Sequence, residues 1–118
     1  MFNKVLPYGN VHIADQIVSL IASLAIVEVD GVAGTVTDLK DEMIRVVNKK
    51  TKQKGISVEK SEQDEISIDM RVALYYGVDI LETCKTIQRV VKQEIEAMTG
   101  IQVNTVHVKV EQIKMKNA

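Results

Sequence analysis

The side chains that could do chemistry are few in this chain, and their spacing assembles no recognisable active site. The single cysteine, Cys84, falls on the apolar side of a predicted helix, where a free cysteine usually serves as a small hydrophobic residue. Neither His12 nor His107 is near Cys84 in the sequence, so no Cys–His arrangement for nucleophilic catalysis is indicated. We predict a protein that is not an enzyme, with no catalytic residue and no cofactor-binding residue.

The two histidines are also the main candidates for a metal site. His12 and His107 each lie on the polar side of a predicted strand. If the two strands were neighbours the rings could approach each other, but two histidines without a third placed ligand make a poor metal site. Solvent-exposed strand positions explain them better, and we predict no metal ligand.

The densest positive patch has two interpretations. One is the C-terminal end of a short helix, where cations are favoured, followed by a solvated loop. The other is contact with phosphates or anionic lipid head groups. The net charge of −1 and the presence of only four aromatic residues, Phe2 and three tyrosines, argue for weak binding at most and against base stacking. The patch consists of Lys49, Lys50, Lys52 and Lys54.

Glycines and carboxylates give no sign of a nucleotide site or an acid–base pair. The segment from Gly31 to Gly34 follows a predicted helix rather than a strand and lacks the spacing of a phosphate-binding loop. The acidic residues fall at predicted caps and turns, and none forms a pair in an apolar pocket. These residues are Asp38, Asp41, Glu42, Glu62, Asp64 and Glu65.

The stretch Ile13–Val29 is the element around which the chain is organised. It predicts a helix that is apolar nearly all round, with one narrow polar stripe formed by Gln16, Ser19 and Ser23. It is too short to span a bilayer, which needs about 20 apolar residues. We predict a central core helix with a spare apolar face for a second partner. A charge at Ala22 or Ala25 should therefore split an assembly or unfold the chain, depending on the face each residue occupies.

The second long helix has clearer boundaries. Asp79 and Glu82 have the form of a capping box, and Gly100 ends the helix. Its apolar stripe contains Ile80, Cys84, Ile87, Val91, Ile95 and Met98. In the strand that follows, Val103 is out of phase with the valines at 106, 108 and 110, which predicts a bulge or a late start.

The remaining patterns complete an α+β chain. One-sided alternation in the strands predicts a two-layer sandwich, with a mostly antiparallel sheet of about four strands and two long helices and one short helix on one face. We expect a single domain over 1–118, with a folded core at 9–113 and tails at 1–8 and 114–118. The other predicted elements are strands at 9–13, near 56–59 and at 65–74, a loop at 32–37 and a short helix beginning at Asp38.

Several fragments, in order, resemble one family. They are the opening Gly9–Ile13 with its alanine-rich helix, Glu28–Gly34, Lys54–Val58, Ile66–Met70, Tyr76–Ile80, Ile87–Gln88, Val90–Lys92, Met98–Ile101 and Val106–Val108. Together they are similar to the alkaline-shock-protein (general stress, Gls-type) family of Gram-positive bacteria, in particular to its short members of about this length. The chain lacks the long charged extensions of the larger members.

The resemblance implies a cytoplasmic protein linked to cell-envelope homeostasis and stress. Relatives self-associate, and some are held at the membrane by a separate anchor protein. The family brings no catalytic residues or cofactors, while genes of short members often sit beside a fatty-acid-kinase-like protein. A single cysteine, which excludes an internal disulfide, agrees with a reducing compartment.

We therefore expect a non-enzymatic, self-associating scaffold or interaction protein, a homo-oligomer that reaches the membrane through a partner. Two alternatives stay open. One is a weak anionic-lipid or nucleic-acid binder that uses the lysine patch, although nucleic acid is the less favoured ligand. The other is an accessory partner of a lipid-metabolic, fatty-acid-kinase-like enzyme.

Overall fold

The computed structural model describes residues 2–36 and 55–116 of the 118. These residues form a two-stranded hairpin, a four-stranded sheet and two helices. The elements are β1 (Phe2–Leu6), β2 (Gly9–Ile13), α1 (Asp15–Ile26), β3 (Val32–Thr35), β4 (Ile56–Lys60), β5 (Glu65–Tyr75), α2 (Ile80–Thr99) and β6 (Gln102–Lys114). The predicted α+β sandwich with a mostly antiparallel sheet is confirmed. The predicted short helix at Asp38 lies outside the described residues.

Strand β5 is the centre of the main sheet. Strands β3 and β4 both pair with it in antiparallel fashion, β3 opposite its last residues and β4 opposite its first. Strand β6 runs parallel to β5 along its whole length. A parallel neighbour needs a long crossover connection, and α2 supplies it. The alternation in β6 correctly predicts a strand, but a period of two carries no information about strand direction.

Both helices cover the same face of this sheet. Helix α1 packs against β3, β4 and α2, whereas α2 packs against β6 and α1. Alternate residues of β5 enter the core between them, including Ile68, Met70 and Val72, which are fully buried. This is the half-buried strand that the alternation over 65–74 predicts.

Helix α2 is closed by side-chain and backbone caps at its two ends. The N–H of Glu82 donates to Oδ1 of Asp79 at 3.1 Å, and Gly100 takes the left-handed conformation at the C-cap. Both features follow from the predicted capping box and glycine stop. The buried side of α2 is Ile87, Val91 and Ile95.

Side chains of α2 also reach the outward edge of β6. Gln88 donates to the carbonyl of Val106 at 3.0 Å, and Lys92 donates to the carbonyl of Val103 at 2.9 Å. Glu96 accepts from the N–H of Val103 at 3.0 Å. The ladder is shifted beside Val103, as its phase predicts, so a bulge lies at this end. The beginning of the β6 edge is therefore covered, which protects an open strand from pairing with other chains.

The region before Gly9 differs from the prediction. The expected tail at 1–8 instead contains β1, which pairs with β2 from Phe2 opposite Ile13 to Leu6 opposite Gly9. Phe2 is buried in the core, and Lys4 donates to the carbonyl of Gly100 at 3.2 Å. The leader is ordered because its first side chain completes the core.

The predicted loop at 32–37 is also partly wrong, since β3 occupies Val32–Thr35. Immediately after it, the backbone of Arg71 bonds to both Val36 and Gly55, each at 2.8 Å. The Arg71 guanidinium donates to the carbonyl of Val36 at 3.1 Å. Gly55 has φ of 71° and a Cβ there would lie 2.3 Å from the Val36 carbonyl oxygen, so only glycine fits this junction.

Candidate interaction surface

Helix α1 has aliphatic side chains on two opposite sides. Val18, Ile21, Ala22, Ala25 and Ile26 point into the core and are buried. A second set follows the outer side at spacings of three and four residues, over about 15 Å of helix. This outer stripe consists of Ile17, Leu20, Leu24 and Val27, which are 42%, 38%, 58% and 66% exposed.

The polar residues of α1 do not form its solvent face. Ser19 is buried, and the Ser23 hydroxyl donates to the carbonyl of Leu20 at 2.8 Å. Only Gln16 of the predicted polar stripe is exposed. The prediction of a spare apolar face agrees with the structure, but the outer stripe itself was not identified from the sequence. Its signal was the spacing of Ile17, Leu20 and Leu24, which matches one face of a helix.

The hairpin adds a second exposed apolar surface. Val5, Leu6 and Val11 are 86%, 51% and 41% exposed, and Tyr8 at the turn is fully exposed. Leu6 and Val11 lie on the same side of the hairpin as Phe2, because their positions differ by an even number along the paired strands. The apolar side that enters the core at Phe2 thus continues outward along the hairpin.

The charges around the outer stripe are few and acidic. Asp15 is the one ionisable residue of α1, and Glu28 and Asp30 follow its C-terminal end. No lysine or arginine lies on the helix. A neutral aliphatic surface bordered by carboxylates suits another protein surface better than an anionic membrane, which attracts basic residues.

Cys84 and the histidines are not brought together. Cys84 is half-buried on α2, and this burial raises the pKa of its thiol, which disfavours the reactive thiolate. The ring of His12 contacts Asn3 across the hairpin, whereas His107 is opposite Asp69 in the main sheet. The two histidine strands belong to different sheets, and over 2–36 and 55–116 no cluster of three metal-ligating residues occurs. The patch of Lys49, Lys50, Lys52 and Lys54 lies outside the described residues.

Curated relatives match almost the whole chain. The uncharacterized protein YloU of Bacillus subtilis is 27% identical over 112 residues, which cover 93% of this chain and 92% of YloU. The uncharacterized protein Spy1614 of Streptococcus pyogenes is 31% identical over 109 residues, covering 91% of this chain and 89% of Spy1614. A stress response regulator gls24 homolog of S. pyogenes is 29% identical, and the match covers 92% of this chain but 60% of that longer protein.

Solved structures share the fold at low identity. A MamM CTD variant has a TM-score of 0.57 and 14% identity, covering 90% of this chain and 99% of that one. The copper form of the MamM CTD has a TM-score of 0.52, also at 14% identity, covering 88% and 91%. At this identity the likeness concerns the arrangement of helices and strands alone.

The family model agrees with the resemblance seen in the sequence. It matches residues 4–115, which include every helix and strand described above except the first two residues of β1. The family is described by a cell envelope-related function. The chain therefore belongs to the alkaline-shock-protein family, whose relatives include stress response regulators of the gls24 type.

Proposed function

We propose that this protein is a non-enzymatic interaction protein that self-associates through the outer stripe of α1 and serves as a scaffold in cell-envelope homeostasis or the general stress response. The observation that carries the proposal is the row of four exposed aliphatic side chains on a helix whose opposite side already fills the core. Contiguous exposed apolar surface of this kind marks interaction sites in soluble proteins.

The energetics favour association that is real but weak through the stripe alone. Burying the exposed part of one such side chain contributes about 1 kcal/mol. Four side chains from each of two copies would contribute about 8 kcal/mol, while association itself costs about 4–15 kcal/mol. The exposed Val5, Leu6 and Val11 of the hairpin offer further apolar area for a tighter contact.

The route to the envelope is a separate part of the proposal. In the described ranges no helix is long and apolar enough to cross a membrane. We propose that the protein works in the cytoplasm and is held near the membrane by a partner, as the resemblance implies for some relatives. The description of the family as cell envelope-related supports this placement.

Self-association is tested by light scattering on a size-exclusion column. The wild-type chain should elute above its monomer mass at micromolar concentration, and Leu24→Glu should shift it to the monomer because a charge would enter the contact. Gln93→Glu adds the same charge at an exposed position of α2 and should leave the assembly intact.

Circular dichroism must show that Leu24→Glu stays folded, which is expected because Leu24 is more than half exposed. A wild-type chain that is monomeric at every concentration would refute self-association. An assembly that Leu24→Glu leaves unchanged would place the contact elsewhere and refute the role of the outer stripe.

A further inference from the structure

A surface groove of about 530 Å³ lies between the C-terminal end of α1 and the first half of α2. It is separate from the outer stripe of α1 and does not depend on self-association. Its volume falls within the range of small-ligand sites in proteins. Carboxylates dominate its rim, with Glu28 and Asp30 on one side and Glu82 and Glu94 on the other.

The charge of the groove is negative and largely uncompensated. Arg89 is the one cationic side chain in its lining, and Glu82 has a nearby partner in Lys85 at 3.3 Å. Glu28, Asp30 and Glu94 form no ion pair with any residue that the structure describes. The groove is therefore suited to a cation.

A buried hydroxyl group without a partner lies in the same groove. Thr83 is 9% exposed, and its hydroxyl makes no hydrogen bond within the described chain. The two other threonines of α2 near or beyond it behave differently, since Thr86 donates to the carbonyl of Glu82 at 3.1 Å and Thr99 to that of Ile95 at 2.6 Å. Thr83 Oγ1 instead points across to the turn after α1, 3.7 Å from where a Cβ of Gly31 would lie. A buried polar group usually has a partner, and a ligand would supply it here.

The floor of the groove is aliphatic. Val29 is buried and Val90 is half-buried, and both contribute to the lining. A methylene chain can rest on such a surface while its charged end contacts polar groups, as lysine side chains commonly do.

We propose that this groove binds a primary alkylammonium group on an aliphatic stem. The ammonium group has three donors and no acceptor, so the Thr83 hydroxyl would accept from it and donate onward to a rim carboxylate. The stem would lie on Val29 and Val90. A lysine side chain of a protein partner and a free linear polyamine both carry this chemistry. A divalent metal fits less well, because no cluster of three ligating side chains occurs in the described residues.

The test is a titration of the isotope-labelled full chain followed by amide chemical shifts. Cadaverine, with a primary amine at each end of its chain, should shift the amides of Val29, Asp30 and Thr83 in a saturable way, with a Kd of about 1 mM. Pentanediol, which has the same length but no charge, should not. A second arm uses acetyl-lysine amide, and tighter binding of this probe than of cadaverine assigns the site to a protein lysine, while the reverse assigns it to a polyamine.

Three variants separate a built site from general attraction to acidic surface. Thr83→Val should weaken cadaverine binding about threefold to tenfold, because it removes one hydrogen-bonding group without changing the shape of the side chain. Glu94→Gln should weaken it about twofold to fivefold, as expected for an exposed ion pair. Glu62→Gln makes the same charge change in the turn between β4 and β5 and should have no effect.

Two results would overturn the proposal. One is a shift pattern that spreads over all acidic residues without saturation. The other is an unchanged affinity in Thr83→Val when its amide spectrum shows the native fold. Folding is expected in that variant, since removing an unpaired buried hydroxyl relieves a desolvation cost.

Discussion

Helices α1 and α2 pack side by side on one face of the same sheet, yet they are built in different ways. Helix α2 begins at the side-chain cap Asp79, ends at the left-handed Gly100 and exposes charged residues on its outer side. Helix α1 begins at Ala14 without a side-chain cap bond and exposes the aliphatic outer stripe. Local sequence thus specifies α2 at both ends and on both faces, whereas α1 is held by the core on one side and has apolar surface left over on the other.

The largest effect is expected from a charge on the inner side of α1. Ala22 is fully buried, so Ala22→Glu would place an unpaired carboxylate in the core and cost about 3–5 kcal/mol. A typical domain is stable by about 5–15 kcal/mol, so we expect the variant to be largely unfolded by circular dichroism and urea titration.

Leu24→Glu, the same charge on the outer stripe, is the matched control and should keep its unfolding transition. Ala25 also faces the core, so both alanines are expected to report on folding rather than on assembly. A native transition in Ala22→Glu would mean that the two sides of α1 have been assigned the wrong way round.

A smaller effect is expected at the N-terminus of α2. Asp79→Ala removes the acceptor of the Glu82 N–H and should lower the free energy of unfolding by about 1 kcal/mol. Asp79→Asn keeps a capping oxygen and should lie close to wild type in the same urea titration. Equal losses in the two variants would show that the charge of Asp79, rather than its hydrogen bond, stabilises the helix.

The opposite change should improve α1. Ala14 has φ of −71° and ψ of 147°, a conformation suited to a capping serine. Ala14→Ser should raise the free energy of unfolding by about 0.5–1 kcal/mol. Ala97→Ser, at an exposed interior position of α2, offers no free N–H groups and should bring no gain. The absence of any gain in Ala14→Ser would indicate that the first N–H groups of α1 are already well solvated.

The smallest effect concerns pH. A hydrogen bond from Lys92, and then one from the N–H of Val103, hold the pKa of Glu96 below its ordinary value. A lowered folded-state pKa contributes stability above the unfolded pKa, and this contribution is lost as pH falls through the folded pKa. Glu96→Gln should therefore reduce the acid dependence of the urea midpoint relative to wild type. Glu62→Gln is the surface control, and an acid profile that Glu96→Gln leaves unchanged would contradict the assignment.

The same contrast explains which parts of the fold could be predicted from the sequence. For α2 and β5 the apolar period, caps and polar faces agree, so their positions follow from the pattern. For α1 both sides are apolar, and periodicity cannot tell which side meets the core. The sequence pointed to Ser19 as part of a polar stripe, but packing buries it.

Two elements escaped prediction for physical reasons. Strand β1 has few apolar residues and owes its order to one contact of Phe2 with the core, although Pro7 and Gly9 did signal a turn. Strand β3 is four residues long and contains Gly34, so its residues resemble a loop until they pair with β5. The groove beside Thr83 was also invisible in the sequence, because its two sides come from helices far apart along the chain.

The junction at Arg71 has a consequence for how this fold can vary. Because the chain leaves β3 at Val36 and re-enters at Gly55 on the same residue of the central strand, the sheet is closed there whatever the length of sequence between them. Loop-closure entropy rises only about 0.6 kcal/mol for each doubling of length. Insertions or a reporter tag placed between positions 36 and 55 should therefore leave the register of β5 intact, which makes this junction a natural point for diversification and for labelling.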